Sequence, residues 1–256
     1  MRPILFLLII LNINCRHNNF KEQDLNGKLV KELKTEIIRY FNKVIDHNME
    51  GLVQMINLSP EKQEELRAHR IIKENKVKLI NRIETLIKEL TISNFEKQQL
   101  LICLKEEGKD KECTDRMIVL MKPITSFLYD AGQSVFSDIN MVVFENKWYQ
   151  EGVSELENCS KYKEGKFYYF LPESQSDTVN IIRFLNKQID IYKGQEVETY
   201  LSWTSNCTYE YTIPGIGKGK TEILGEFQGG YLFFNSQEGM DKVVEKSFGK
   251  VYIKNK

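Results

Sequence analysis

The residue pattern of this chain changes abruptly near residue 145, and that change limits the folds open to it. Of the 28 Phe, Tyr and Trp residues, 20 lie at or after Phe144, and strands favour aromatic and β-branched side chains. A chain of 256 residues can also bury two cores of ordinary size. We therefore expect an α+β protein, in which an N-terminal helical bundle over residues 16–145 precedes a C-terminal antiparallel β-meander or small barrel over residues 146–256.

Apolar side chains in the first half recur every three or four residues. This spacing holds over residues 30–55 and again over residues 77–90, which predicts two amphipathic helices. Ser59 before Pro60 is a typical N-cap and first-turn pair for the second helix, and residues 93–96 have the sequence of a capping box that opens a third. We expect four or five helices in all.

Short runs separated by turn residues fill the second half, and each run is typical of a strand. Apolar and polar residues alternate along the fourth run, as a half-buried antiparallel strand requires. The tract 215–221 is interpreted as a hairpin loop and not as a phosphate-binding loop, because Pro214 stands where that motif needs glycine. The runs cover residues 166–170, 178–184, 188–192, 197–203, 208–213, 221–227, 231–235 and 250–253.

The first fifteen residues have the pattern of an export signal. Arg2 precedes an apolar run over residues 4–13, which is too short for the roughly 20 residues that span a bilayer but suits a signal peptide. Cys15 follows directly, and the segment resembles a bacterial lipoprotein signal in which that cysteine becomes the lipidated first residue. We therefore expect a signal peptide over residues 1–15 and a membrane-anchored protein of the bacterial cell envelope; a secreted protein is the alternative.

The cysteine count supports an oxidising compartment. Five cysteines leave one unpaired, but setting Cys15 aside as a lipid attachment site leaves four that can pair without remainder. Three connectivities are possible, and the nearest-neighbour one agrees best with the two halves of the chain. It joins Cys103 to Cys113 and Cys159 to Cys207.

No catalytic residue, metal site or cofactor is predicted. The second half contains no histidine, so a Ser, His and Asp set cannot form there, and His17, His47 and His69 lack the nearby ligands of a metal site. Glu198 and Glu210 are interpreted as solvated strand positions. Lys plus Arg equals Asp plus Glu, at 36 each, which disfavours a nucleic-acid partner.

Tyrosines concentrate in the predicted strands and leave two interpretations open. They could line a cavity for a small apolar or glycan ligand, or they could pack across strands with their hydroxyl groups in water. The residues concerned are Tyr168, Tyr169, Tyr200, Tyr209, Tyr211 and Tyr231.

A series of short motifs in the last hundred residues resembles small secreted proteins and lipoproteins of the Bacteroidota. The motifs are Cys159; Gly165, Lys166 and Phe167; Ile181 and Arg183; Gln188; and Trp203, Cys207 and Tyr209. The resemblance implies an exported β-domain with its two cysteines bridged, and it implies no known activity. The topoisomerase label that such proteins often carry finds no support in a chain of neutral charge.

These features together predict a non-catalytic lipoprotein of the cell envelope that acts as a binding or structural module. Its partners would be the membrane, through the N-terminal lipid, and an unidentified protein or small ligand. A ligand carrier or enzyme with a cavity in the β-domain is the first alternative, favoured by a closed barrel with several inward polar residues and disfavoured by a filled interior. A soluble secreted interaction protein is the second.

We expect the mature chain to begin at Cys15 and to carry diacyl and acyl groups. The intact mass of protein purified from its native envelope without reductant, after thiol alkylation, measures this directly. Cys15→Ala should abolish the lipid mass. A wild-type chain that is cut elsewhere and carries no lipid would contradict the prediction.

Overall fold

The computed structural model describes the backbone of residues 3–89, 91–105, 115, 119, 122–156, 158–171, 174–239 and 244–254. The side chains of residues 3–25, 123, 125, 128, 129, 152, 174–176 and 239 are not described. Among the described residues the chain forms two compact units. The first comprises Met1–Val44 and Lys76–Ala131, and the second comprises Ile45–Asn75 and Gly132–Lys256.

Helices occupy the first half of the described chain, as the apolar spacing predicts. Ser59 accepts a hydrogen bond from the backbone N–H of Lys62, which confirms it as an N-cap, and the Ser93 and Glu96 capping box is present. No described helix is long and apolar enough to cross a bilayer. The helices are α1 Pro3–Ile56, α2 Pro60–Ala68, α3 Arg70–Glu89, α4 Asn94–Lys105 and α5 Lys122–Glu145.

Apolar stripes on α1, α3 and α4 form the core of the first unit. The stripe on α1 repeats every fourth residue, so that all its members lie on one helix face. Lys34 of α1 reaches Glu84 of α3 at 2.7 Å, but this exposed pair adds little to stability. The buried residues are Leu29, Leu33, Ile37, Phe41, Ile83, Ile87, Leu100, Leu101 and Leu104.

The second half forms a closed barrel of eight antiparallel strands, in which each strand pairs with the next and β1 pairs with β8. This confirms the α+β prediction and its meander. An eight-stranded barrel has an interior just wide enough for side chains or one small ligand. The strands are β1 Gly165–Leu171, β2 Ser174–Phe184, β3 Lys187–Tyr192, β4 Gln195–Trp203, β5 Thr208–Ile213, β6 Gly217–Phe227, β7 Gly230–Gly239 and β8 Val244–Ile253.

The glycine-rich tract predicted as a loop belongs mostly to a strand. Only residues 214–216 form the turn, and β6 already begins at Gly217. A Cβ atom at Gly219 would lie 2.5 Å from the ring of Tyr211 and 2.7 Å from the carbonyl oxygen of Ser236. The glycine is therefore required by the close approach of an aromatic ring and not by a turn.

Only a short stretch of β1 pairs with β8 where the barrel closes. Helix α5 covers part of the strand edge that remains unpaired. Strand β1 pairs with β8 at Phe167 and Tyr168, and the register of β8 with β1 extends no further in the described residues. The backbone N–H of Phe248 on β8 instead donates to Oδ1 of Asn140 on α5 at 3.1 Å. A helix placed over a strand edge satisfies its backbone groups and blocks further pairing.

Aromatic contacts from α5 and from the 3₁₀ turn at Trp148–Gly152 add to this packing against the barrel. The rings of Phe144 and Phe234 stack with centroids 4.0 Å apart, and Tyr149 contacts Phe248 with centroids 5.9 Å apart. Leu232, on the same outer face, is fully buried. Buried residues on the outer face of β7 and β8 therefore form a second hydrophobic core outside the barrel.

A short segment before β1 closes one end of the barrel. Cys159 is fully buried in the barrel core and forms a disulfide with Cys207, which confirms that predicted pair. Tyr162, from the following 3₁₀ turn, is also buried there. Cys103 is disulfide-bonded as well, while its predicted partner Cys113 lies outside the described residues.

We expect Asn140→Ala to lower the free energy of unfolding by about 1–3 kcal/mol, because it leaves the buried N–H of Phe248 without an acceptor. Urea denaturation measures the change. The matched control is Asn146→Ala, which removes an exposed amide just after the same helix and should change stability by less than about 0.5 kcal/mol. Equal effects of the two substitutions would contradict the assignment.

Candidate functional site

The register of the barrel determines which side chains face inward. Arg183 of β2 lies opposite Gln188 of β3, and Gln188 lies opposite Thr199 of β4. On the other side, Trp203 pairs with Tyr209 across β4 and β5. Because paired residues point to the same face of a sheet, these side chains share the face of the buried core residues and line the interior.

Seven inward side chains form what we call the interior polar cluster. They lie among apolar inward residues such as Phe167 and Ile181, and each carries at least one hydrogen-bonding group. Its members are Arg183, Gln188, Asp190, Thr199, Trp203, Tyr209 and Tyr231.

Arg183 is the centre of the cluster and is only 3% exposed. Its Nη1 donates to the carbonyl oxygen of Tyr162 at 3.0 Å, and its Nε donates to Oε1 of Gln188 at 2.8 Å. The guanidinium carbon also lies 5.2 Å from the ring centroid of Tyr209 and 5.3 Å from that of Phe167. Aromatic faces stabilise a cation electrostatically, more strongly where water is absent.

The acidic member of the cluster does not touch the arginine. Both oxygens of Asp190 accept from Nε2 of Gln188 at 3.0 Å, so the glutamine amide stands between the two charges. Arg183 forms no ion pair with any residue that the structure describes. Burial raises the pKa of Asp190, and the Gln188 hydrogen bonds and Arg183 oppose that rise.

Three members of the cluster carry a buried polar atom without a hydrogen-bond partner among the described residues. These atoms are Oγ1 of Thr199, Nε1 of Trp203 and Oη of Tyr231. The ring of Tyr231 lies 5.8 Å from the Arg183 guanidinium, and the guanidinium also acts on the Tyr231 hydroxyl group, where it opposes the rise in pKa that burial causes. Most buried polar groups in proteins are satisfied, so three in one interior require an explanation.

Solvent reaches part of this interior. Phe167, Ile181 and Val251 pack tightly beside the closing segment, whereas Tyr169 and Asp190, further from it, are only half-buried. Burial raises the pKa of Tyr169 to about 12, with a smaller contribution from the nearby Asp190. The end of the barrel away from the closing segment is therefore the accessible one.

The structure divides the tyrosines of the two interpretations between the inner and outer faces of the barrel. Tyr169, Tyr209, Tyr211 and Tyr231 face inward, while Tyr200 is exposed on the outer face. Tyr168 also points outward, where it stacks on Tyr252 with ring centroids 5.2 Å apart.

The other residues considered from sequence take no part in the cluster. Glu198 and Glu210 lie exposed on the outer face, as expected, and Glu198 pairs with Lys187. His47 and His69 belong to the helical part, and the described residues hold no group of three side chains suited to a metal ion.

A concavity of about 470 Å³ lies on the outer side of strands β4 to β8. Its charged lining residues face one another in opposite-sign pairs, since Lys220 lies opposite Glu210 and Lys218 reaches Glu238 at 3.4 Å. Solvated pairs of this kind are ordinary on strands. We therefore place the candidate site inside the barrel.

Comparison with known proteins adds no assignment, because no protein-family model, curated protein sequence or solved structure matches this chain. Sequence reasoning named Arg183, Gln188 and Trp203 as parts of motifs without a role, and it named Tyr209 and Tyr231 as possible lining of a cavity. It missed Asp190 and Thr199. Polar residues at alternate positions of neighbouring strands could have indicated the cluster. Only the closure of the barrel shows that these positions face inward.

Stability should fall as the pH rises from about 10 to about 12, because the folded state keeps the Tyr169 proton that the unfolded state loses near pH 10. Each such tyrosine contributes a slope of about 1.4 kcal/mol per pH unit in this window. Tyr169→Phe should remove the contribution of this tyrosine to the slope of the unfolding free energy against pH. Urea denaturation at pH 9, 10 and 11 measures the slope. Tyr168→Phe, at the adjacent outer position, controls for the loss of a phenol, and an unchanged slope in Tyr169→Phe would contradict the argument.

Proposed function

We propose that this protein is a non-catalytic, lipid-anchored protein of the bacterial cell envelope whose barrel binds a small ligand in its interior. The observation that carries the proposal is the set of unpartnered, buried polar atoms that Thr199, Trp203 and Tyr231 place in the same interior polar cluster as Arg183. A binding site has few polar groups in an otherwise apolar cavity, and those groups stay unpaired until the ligand arrives.

The lipid anchor and the envelope location rest on the sequence pattern that ends at Cys15. The Cys159–Cys207 disulfide agrees with an oxidising compartment. The membrane is thus one proposed partner, and a small molecule inside the barrel is the other.

A binding role is favoured over catalysis by the state of the interior hydroxyl groups. Burial raises the pKa of Tyr231 and raises that of Tyr211 to about 12, whereas an activated nucleophile needs a lowered pKa or an adjacent base. The second half also lacks a histidine that could act as that base.

The test uses the full chain and the neutral, apolar fluorophore N-phenyl-1-naphthylamine. In a Trp148→Phe background, Trp203 is the only tryptophan, so quenching of its emission reports on the barrel interior. We expect saturable binding of one probe per chain.

Two matched substitutions locate the probe. Ser247 lies opposite Asn235 in the interior, whereas Ser202 is exposed on the outer face of β4. Ser247→Phe should weaken binding at least about tenfold, a loss of about 1.4 kcal/mol, because the new ring fills the site, and Ser202→Phe should leave binding unchanged. Equal effects of the two variants, or the absence of saturable binding by both this fluorophore and a polar ligand of similar size, would refute the proposal.

A further inference from the structure

Charge separation inside the barrel indicates which chemical class of ligand it binds. Arg183 and Asp190 are the charged members of the interior polar cluster, so that the cluster has no net charge. The two groups nevertheless do not pair directly, since the amide of Gln188 lies between them.

A direct ion pair would be the cheaper arrangement in a buried site. Charges withdrawn from water lose their hydration, and close pairing with full hydrogen bonding is what offsets that loss. Because Arg183 and Asp190 are kept apart, each can still form further hydrogen bonds. The described contacts use three of the five guanidinium N–H groups of Arg183, and the Asp190 carboxylate accepts from only one amide nitrogen.

Gln188 shows which chemical groups fit between Arg183 and Asp190. Its carbonyl oxygen accepts from the arginine and its nitrogen donates to the aspartate, so that an acceptor and a donor lie side by side. Gln188 is itself only half-buried, and its side chain could give way to a ligand that offers the same pair of groups. A ligand with a net charge would instead unbalance the two opposite charges of the interior polar cluster.

We infer that the barrel takes a zwitterionic ligand of no net charge, whose carboxylate is bound by Arg183 and whose ammonium group is bound by Asp190. The unpartnered hydroxyl groups of Thr199 and Tyr231 supply further hydrogen bonds to the carboxylate. An apolar or aromatic body would lie among the rings that surround the guanidinium. This inference rests on the proposed binding function and names its substrate class.

Three probes with the same phenyl body separate the contributions of the two charges. Phenylalanine carries both groups, 3-phenylpropanoate carries only the carboxylate, and 2-phenylethylamine carries only the ammonium group. In direct calorimetric titrations of the full chain, we expect phenylalanine to bind at least about tenfold more tightly than either analogue, equivalent to about 1.4 kcal/mol.

Asp190→Asn tests the assignment by reversing the preference. The isosteric change leaves the cluster with a net positive charge, so 3-phenylpropanoate should become the tightest of the three ligands. Glu198→Gln, which neutralises an exposed acid on the outer face, is the matched control and should preserve the wild-type order. A merely structural Asp190 would change thermal stability without changing the order.

The outcomes distinguish this inference from the proposed function. If the neutral fluorophore binds inside the barrel but phenylalanine binds no more tightly than its analogues, the zwitterion assignment is wrong and the binding function stands. If phenylalanine shows no binding and the fluorophore shows none, both are wrong. An unchanged ligand order in a folded Asp190→Asn variant would also overturn the assignment.

Discussion

The hydrogen bond from Arg183 to the carbonyl oxygen of Tyr162 ties the barrel wall to the segment that closes it. The same guanidinium packs against the rings of Phe167, Tyr209 and Tyr231, which come from three further strands. A long side chain with five donors can satisfy several strands at once, and so a single cation organises the interior that apolar residues would otherwise fill. The site is polar because a buried arginine, Arg183, lies at its centre.

Two different interactions stabilise the two sides of the barrel. Near the closing segment, the Cys159–Cys207 disulfide spans a loop of 48 residues and restricts the unfolded chain. At the seam between β1 and β8, where strand pairing is short, Asn140 of α5 supplies the missing hydrogen bond. The helix and the disulfide therefore stabilise the barrel by independent means, one through the native state and one through the unfolded state.

Local features of the fold were predictable because they depend on neighbouring residues. The caps at Ser59 and Ser93 and the alternation along β4 from Thr199 onward agree with the structure. The interpretation of the tract at Gly219 as a loop was wrong, because a strand glycine under an aromatic ring has the same local sequence as a glycine in a turn. Only the packing of Tyr211 distinguishes them.

The candidate site was largely hidden from sequence reasoning. Arg183, Gln188 and Asp190 lie close together in the chain and look like ordinary polar residues of a solvated strand face. Their burial depends on which face of the sheet turns inward when β1 meets β8.

The sequence by itself determined the order of helices and strands, the positions of the helix caps and a cysteine count suited to disulfides, since periodicity and residue type act over a few positions. Only the tertiary structure decided that the meander closes, that Arg183 and Asp190 face the same interior, and that a glutamine separates them. Closure is a long-range event: it fixes inside and outside for every strand at once, and no local pattern carries that information.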